Sequence, residues 1–373
     1  MINRYLESII EGRMGQGKAI VLFGARQVGK TTMLKNLLAR RDDVLWLNGD
    51  ELDVRNLFEN VSSTMLKTII GKKSVVVIDE AQRISDIGIG IKLITDNIPD
   101  VQVLATGSSS FDLSNKINEP LTGRKLEYWM YPLSFGELVE HHGLLEEKRL
   151  LAHRLIYGSY PDVINNVGDE RKILTELANS YLYKDILMFD KIKKSDKLVK
   201  LLQALAFQMG SEVSYNELAQ TCGLDPKTVE SYVTLLEQSY IIFRLGSFSR
   251  NLRNELKFAR KIYFWDCGIR NAVIGNYQML ESRLDTGALF ENYMVAERLK
   301  KLRYEKSYAK SYFWRSKLRQ EIDYIEEMDG QLAAVEFKWN PNRKAAMPLS
   351  FSRSYPDVDF KVVTRDNFET FLL

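Results

Sequence analysis

The chain has 373 residues, of which 45% are hydrophobic and 27% charged, with a formal net charge of +3. That length exceeds one ordinary core, so two or three globular domains are expected, and so small a net charge argues for no nucleic-acid partner by itself. Two cysteines, Cys222 and Cys267, exclude a disulfide framework or a zinc site, and the lack of a membrane-length apolar run or a signal-peptide core predicts a cytoplasmic protein with no membrane partner.

Residues 2 to 10 set Ile2, Tyr5, Leu6, Ile9 and Ile10 at helical spacing, with Arg4 and Glu7 between them, predicting a helix under the first core. Val21 to Phe23 reads as a buried strand and Thr32 to Arg40 as a helix. Between them lies Gly24-Ala25-Arg26-Gln27-Val28-Gly29-Lys30-Thr31. Strand, G-x-x-x-x-G-K-T and helix is the P-loop in its required setting. The glycines let backbone N–H groups from Gly24 to Thr32 turn toward a phosphate. Lys30 would reach the β- and γ-phosphates, the Thr31 hydroxyl would ligate Mg²⁺, and the helix adds its positive N-terminal end. ATP and Mg²⁺ are the ligands expected here.

Val44 to Leu47 is a short apolar strand. Ser74 to Asp79 is a continuous β-branched run closed by Asp79 and Glu80. A strand apolar on both faces belongs in the middle of a parallel sheet, and ligands bind at the carboxyl end of such strands. Asp79 is the candidate to hold Mg²⁺ through water, and Glu80 the candidate base for the attacking water. Val101 to Ala105 is the next buried strand; it runs into Thr106 and Ser108, candidates for sensing the γ-phosphate or members of a plain Ser-rich turn. Arg124 is a candidate charge-stabilising arginine, in cis or on a neighbouring subunit of a homo-oligomer, with a surface arginine as the alternative.

Five motifs stand in one order: Gly24 to Thr32, Ile78-Asp-Glu-Ala-Gln82, Thr106 to Ser110, Leu121-Thr-Gly-Arg124 and Tyr131-Pro-Leu-Ser-Phe-Gly-Glu137. Together they resemble a large family of bacterial and archaeal AAA-type ATPases close to the STAND group. The resemblance extends through Gly158-Ser-Tyr-Pro161 and Tyr183-Lys-Asp185 into the C-terminal half, a domain of unassigned function in that family. It implies an ATPase core, a helical lid, a winged helix and a nuclease-like end.

From Phe135 to Lys197 leucines recur on turns of helix, as expected for a lid, and the charged Lys191 to Lys197 stretch marks a boundary. His141, His142 and His153 lack metal-ligand spacing. Leu201 to Met209 is an apolar helix, Ser214 and Glu217 open a second as a capping box, and Asp225 with Pro226 opens a third. Ile241 to Leu245 follows as a wing strand, completing the winged-helix order. The third helix offers Lys227 beside Glu230 and Glu237, so DNA contact and packing against another domain or subunit both stay open. The basic run Arg250, Arg253, Lys257, Arg260 and Lys261 is the better phosphate-binding candidate, with a solvated surface as its alternative.

The last third carries a helix over Ala288 to Leu299 and an aromatic strand at Tyr312 to Trp314. A hairpin of Glu321 to Ile325 and Leu332 to Trp339 follows, turning at Met328 to Gln331. Alternate residues share a strand face, so Asp323 on one strand meets Glu336 and Lys338 on the next, with Glu291 reaching in from the helix and Glu297 as its alternative. This set resembles the PD-(D/E)XK nuclease fold. The resemblance implies Mg²⁺, or Mn²⁺, on Asp323, Glu336 and Glu291, with Lys338 orienting a water or offsetting negative charge.

The expected fold class is α/β: a P-loop AAA-type ATPase with a parallel sheet (1–134), a helical lid (135–197), a winged helix (198–249) and a restriction-endonuclease-like α/β domain (250–373). The expected function is Mg²⁺-dependent ATP binding and hydrolysis coupled to nucleic-acid binding or processing, with DNA as the partner. The alternative is an ATP-dependent switch or scaffold whose C-terminal domains bind protein partners without cleavage.

Overall fold

The computed structural model describes residues 2–108, 113, 116–117, 120–180, 195–249, 260–316 and 318–373. Ser109, Ser110 and the Tyr183-Lys-Asp185 motif therefore lie outside the described residues. The chain divides into two units: residues 1–132 with 238–240, and residues 133–237 with 241–373.

In the first unit the apolar runs become β1 (Ala19–Gly24), β2 (Val44–Asn48), β3 (Val75–Asp79), β4 (Gln102–Gly107) and β5 (Lys125–Met130). They form one parallel sheet in the order β2-β3-β4-β1-β5. β1 and β4 are buried along their whole length, which is why their sequences show no polar alternation. Phe23 lies beside Gly107, Gly24 beside Met130 and Asn48 beside Asp79, so the carboxyl ends of all five strands share one edge. The predicted N-terminal helix spans Tyr5–Glu11 and buries Leu6 and Ile10.

The second unit opens on the Phe135–His142 helix, whose start is fixed by a capping box. Glu137 N–H donates to Ser134 Oγ at 3.3 Å and Ser134 N–H to the Glu137 carboxylate at 2.9 Å. Helices Leu144–Arg149, Leu151–Tyr157, Pro161–Asn165 and Glu170–Ser180 follow. Glu147 and Arg154 form a two-pronged ion pair at 2.7 and 3.1 Å with side chains 0% and 4% exposed. Gly158 packs so close to Asp266 that a Cβ there would lie 2.1 Å from a carboxylate oxygen, and Ser159 N–H donates to the same carboxylate at 2.7 Å.

Next come helix Ser195–Phe207, strand β6 (Glu212–Val213), helix Tyr215–Cys222 capped by Ser214, and helix Pro226–Gln238. Thr228 N–H donates to Asp225 at 2.9 Å at the head of the last of these. Strands β7 (Ile242–Ser247), β8 (Arg260–Phe264), β9 (Lys310–Arg315), β10 (Glu321–Met328), β11 (Gln331–Lys338) and β12 (Val358–Thr364) complete the set. All join one seven-stranded sheet in the order β12-β11-β10-β9-β7-β8-β6.

The boundary expected at 249/250 falls inside the antiparallel β7–β8 pairing. β7 also runs parallel to β9, and Phe248 N–H donates to Phe313 at 2.6 Å. Phe248 then sits in the same apolar cluster as Ile322, Ile325, Ala334 and Phe351. Backbone hydrogen bonds and a shared core thus tie β7 to the C-terminal hairpin of β10 and β11. That hairpin turns through Asp329 and Gly330, both at positive φ, as a two-residue Asp-Gly turn requires. Among the described residues no helix is long and apolar enough to cross a membrane.

Candidate active site

β1 delivers the chain to its carboxyl edge at Gly24, where a Cβ would lie 2.2 Å from the Met130 carbonyl; only glycine fits there. The loop then leads into the Lys30–Leu37 helix, with Gly29 left-handed at its N-cap. Ala25 and Val28 are buried, Arg26 is half-buried, and Gln27 and Thr32 are exposed. Lys30, buried at 6% exposure, donates from Nζ to the Gly24 and Ala25 carbonyls at 2.8 and 2.7 Å. Arg4 braces the loop, its guanidinium donating to the Val28 and Tyr131 carbonyls at 2.6 Å each.

Opposite the loop, Thr31 Oγ1 donates to Asp79 Oδ2 at 2.8 Å. A hydroxyl and a carboxylate converging at the head of a P-loop helix fit the hard-oxygen preference of Mg²⁺, which takes few protein ligands beside phosphate and water. Thr106 lies beneath, its hydroxyl bonded to Asp79 Oδ1 and accepting from Glu80 N–H at 3.2 Å. Of the two sensor candidates, Ser108 stands nearer the base, 3.5 Å from Glu80 Oε2. Glu80 itself sits in the left-handed region at φ 48 and ψ 41. Gln82 reaches both groups, its Nε2 at 2.5 Å from Glu80 Oε2 and 2.9 Å from Ser108 Oγ. Sequence reasoning noted Gln82 only as part of a motif and gave it no role; its signal was the position two residues after the carboxylate.

Arg124 is corrected as a cis catalytic group. Lys125 pairs with Ala19, at the opposite edge of the sheet from Gly24. Six strand steps at about 3.3 Å each, from Arg124 to the Met130 that pairs with Gly24, put Arg124 about 20 Å from the P-loop of its own chain. Its guanidinium pairs instead with Asp96 at 2.6 Å.

In the second unit the hairpin assembles part of the expected acidic set. Asp323 lies at a register shift between β9 and β10, a bulge that re-aims side chains, and its carboxylate accepts Phe337 N–H at 2.9 Å. Glu336 meets Asp323 across the hairpin; burial and that neighbouring charge push its carboxyl up. Lys338 Nζ lies 2.6 Å from Glu336 and 3.7 Å from Asp323, and these charges raise its pKa against the effect of burial.

Glu291, expected as a metal ligand beside Asp323 and Glu336, stands near Asp323 but is engaged by side chains of β8. Its Oε1 is held by Lys261 Nζ at 3.0 Å and Tyr263 Oη at 2.6 Å. Burial pushes its carboxyl up, and Lys261 pulls only part of that back, leaving it at about 7. Among the described residues no three His, Cys, Asp or Glu side chains gather as a metal cage. The alternative, Glu297, is turned elsewhere, accepting Phe135 N–H at 2.7 Å and pairing with Lys300 at 2.6 Å.

Lys261 is likewise corrected as a nucleic-acid contact. It is 2% exposed and ion-paired to Glu291 and to Glu321 at 2.5 Å, so its charge is spent inside the protein. Burial opposes that charge, and the two carboxylates more than restore it. Arg260 is half-buried at the start of β8, and Lys227 is exposed. Glu237 is withdrawn from the outer helix face, clasping Arg244 with a 2.9 Å bond to Nε. Arg250, Arg253 and Lys257 lie outside the described residues.

Residues 16–139 match the AAA domain. The first unit carries an AAA-type P-loop ATPase core. Residues 148–279 match DUF8612 and residues 286–370 match DUF4143, each described as a domain of unknown function. The uncharacterized protein MJ1544 of Methanocaldococcus jannaschii is 22% identical over 383 residues, spanning 95% of this chain and 84% of its own. MJ1637 of the same organism is 26% identical, spanning 83% and 72%. Among solved structures, the Walker-type ATPase PABY2304 of Pyrococcus abyssi shares the fold at a TM-score of 0.51 and 15% identity, covering 74% of this chain and 96% of that one. The AAA match and the P-loop geometry support ATP binding and hydrolysis.

Proposed function

We propose that this chain hydrolyses ATP at the P-loop and uses the cycle to control nucleic-acid binding or processing by its C-terminal elements. The observation that carries the first half is the convergence of Lys30, Thr31, Asp79 and Glu80 on the carboxyl edge of β1 and β3. Lys30 would exchange its two carbonyl partners for phosphate oxygens, a charge-assisted gain. Thr31 and Asp79 would hold Mg²⁺, which when bound offsets charge on the β- and γ-oxygens. Glu80 orients the attacking water. That oxygen bonds to the γ-phosphorus as the bond to the β–γ bridging oxygen breaks, ADP leaves, and the water's proton passes to the Glu80 carboxylate. Lys30→Ala should abolish Mg²⁺-ATP turnover; an unchanged rate sinks the assignment.

For the second half, the element order from Ser195 to Phe264 supports a winged helix. The Asp323, Glu336 and Lys338 set supports a PD-(D/E)XK-type site. Arg124 acting on a neighbouring subunit of a homo-oligomer belongs to the same proposal. The test is cleavage of linear, single-stranded and branched DNA with Mg²⁺ or Mn²⁺, with and without ATP, by wild type and Asp323→Ala. Cleavage lost in the variant makes this an ATP-gated nuclease.

A second reading, an ATP-dependent switch or scaffold, is favoured by one observation: Lys261 and Lys338 already neutralise carboxylates of this set within the protein. Wild-type cleavage no greater than that of Asp323→Ala on every substrate supports it.

A further inference from the structure

Glu80 is more tightly organised than a free base at a strand end. Its backbone stands in a left-handed conformation that a non-glycine residue adopts at a cost, fixed by N–H bonds to Asp79 Oδ1 and Thr106 Oγ1 at 3.2 Å each. Its carboxylate is then met by Gln82. A carboxylate only accepts, so the Gln82 amide must present its nitrogen here, and the same nitrogen lies 2.9 Å from Ser108 Oγ. Gln82 is 9% exposed and Ser108 8% exposed. Residue 107 beside it is glycine; a Cβ there would stand 2.6 Å from Leu113 Cδ2 and 3.1 Å from Gln82 Oε1. That Oε1 has no hydrogen-bond partner among the described residues, so packing and the two Nε2 bonds alone hold the amide.

We propose that Gln82 is a positioning residue for ATP hydrolysis, fixing the Glu80 carboxylate and tying it to Ser108, the sensor candidate just past the carboxyl end of β4. This rests on the ATPase reading above. Ser108 and Glu80 share one donor, so a phosphate oxygen that engages Ser108 alters the hold on Glu80. Arrival of the γ-phosphate and readiness of the base thereby become one event, carried by Glu80 just past β3, Gln82 in the turn that follows and Ser108 just past β4. Glu80 remains the group that touches water; Gln82 acts through it.

The experiment is steady-state ATP turnover by the full chain for wild type, Lys30→Ala, Gln82→Leu, Gln82→Glu, Ser108→Ala and the Gln82→Leu/Ser108→Ala double variant. Melting curves are recorded for each. Misplacing a reacting group by an ångström costs about a hundredfold. Gln82→Leu should therefore lower kcat by roughly that factor, with KM for ATP within about twofold of wild type and the melting midpoint unmoved. Gln82→Glu keeps the size and loses the N–H donor, and should fall as far. The double variant should be no worse than its worse single, because both residues hold one carboxylate.

Lys30-dependent turnover that is normal in Gln82→Leu, or restored in Gln82→Glu, overturns this inference and leaves the ATPase reading standing. So does a fall in kcat matched by a rise in KM and a lower melting midpoint, the signature of a packing role. Wild-type turnover that is absent, or that survives Lys30→Ala, overturns the ATPase reading and this inference with it.

Discussion

Arg154→Met removes half of a buried ion pair and leaves the other half behind. Glu147 and Arg154 are 0% and 4% exposed and joined by two hydrogen bonds at 2.7 and 3.1 Å. Among the described residues Glu147 has His142 Nδ1, at 2.5 Å, as its other side-chain partner. An uncompensated carboxylate in such a place costs about 3–5 kcal/mol. At about 2–4 °C per kcal/mol for a unit of this size, the melting midpoint should drop by about 6–20 °C. Replacing both members by apolar residues of similar volume, Glu147→Leu with Arg154→Met, removes the stranded charge and should return stability to within about 1 kcal/mol of wild type. Thermal and urea unfolding of the three proteins measure this. A loss below about 1 kcal/mol in Arg154→Met, or a double variant no more stable than the single, refutes the reasoning.

Asp285 gives a pH signature. Burial pushes its carboxyl up, but Arg283 and Arg270 bring it from 3.8 down to about 2. A depressed folded value means its contribution, about 2 kcal/mol, is present above pH 3.8 and lost as the pH falls toward 2. The stability gap between wild type and Asp285→Asn should thus be constant from pH 7 to about 5 and close below pH 4; a gap that persists at pH 2 contradicts this. Gly158→Ala should destabilise by about 3 kcal/mol or more, because the new methyl would meet the Asp266 carboxylate at 2.1 Å. Gly143→Ala is the control: its φ is also positive, but no atom lies within 4 Å of its Cβ. Equal losses in the two variants would assign the whole effect to backbone strain.

The P-loop was legible because its chemistry is local: the glycines, Lys30 and Thr31 lie within eight residues, and strand and helix follow from the apolar pattern on either side. Arg124 was misjudged for the opposite reason. Sequence places it just before a strand, but only the β1–β5 register reveals that this is the far end of the sheet from the phosphate loop. Lys261 stands in a run of positive charge that suggests a surface. Alternation along β8 sets it on one face with Tyr263, and that face is turned inward on Glu291. The aromatic partner two residues on was the available signal. Asp323, Glu336 and Lys338 were legible because a hairpin of period two leaves little choice of register. The pairing of Glu291 with Lys261 was not, since it depends on a lysine thirty residues away in sequence.

The seven-stranded sheet also bears on how this protein can be cut and how it yields. A fragment beginning at residue 250 would carry β9 with one of its ladders torn open and would lack Phe248 from its apolar cluster. Such a piece offers a bare strand edge to other copies and is apt to clump. Hydrogen exchange should register the same linkage in the whole chain. Amides of β7 and β9 should open with one free energy, as a single cooperative block, and a tug on β7 would be felt as shear along the hairpin that bears Asp323.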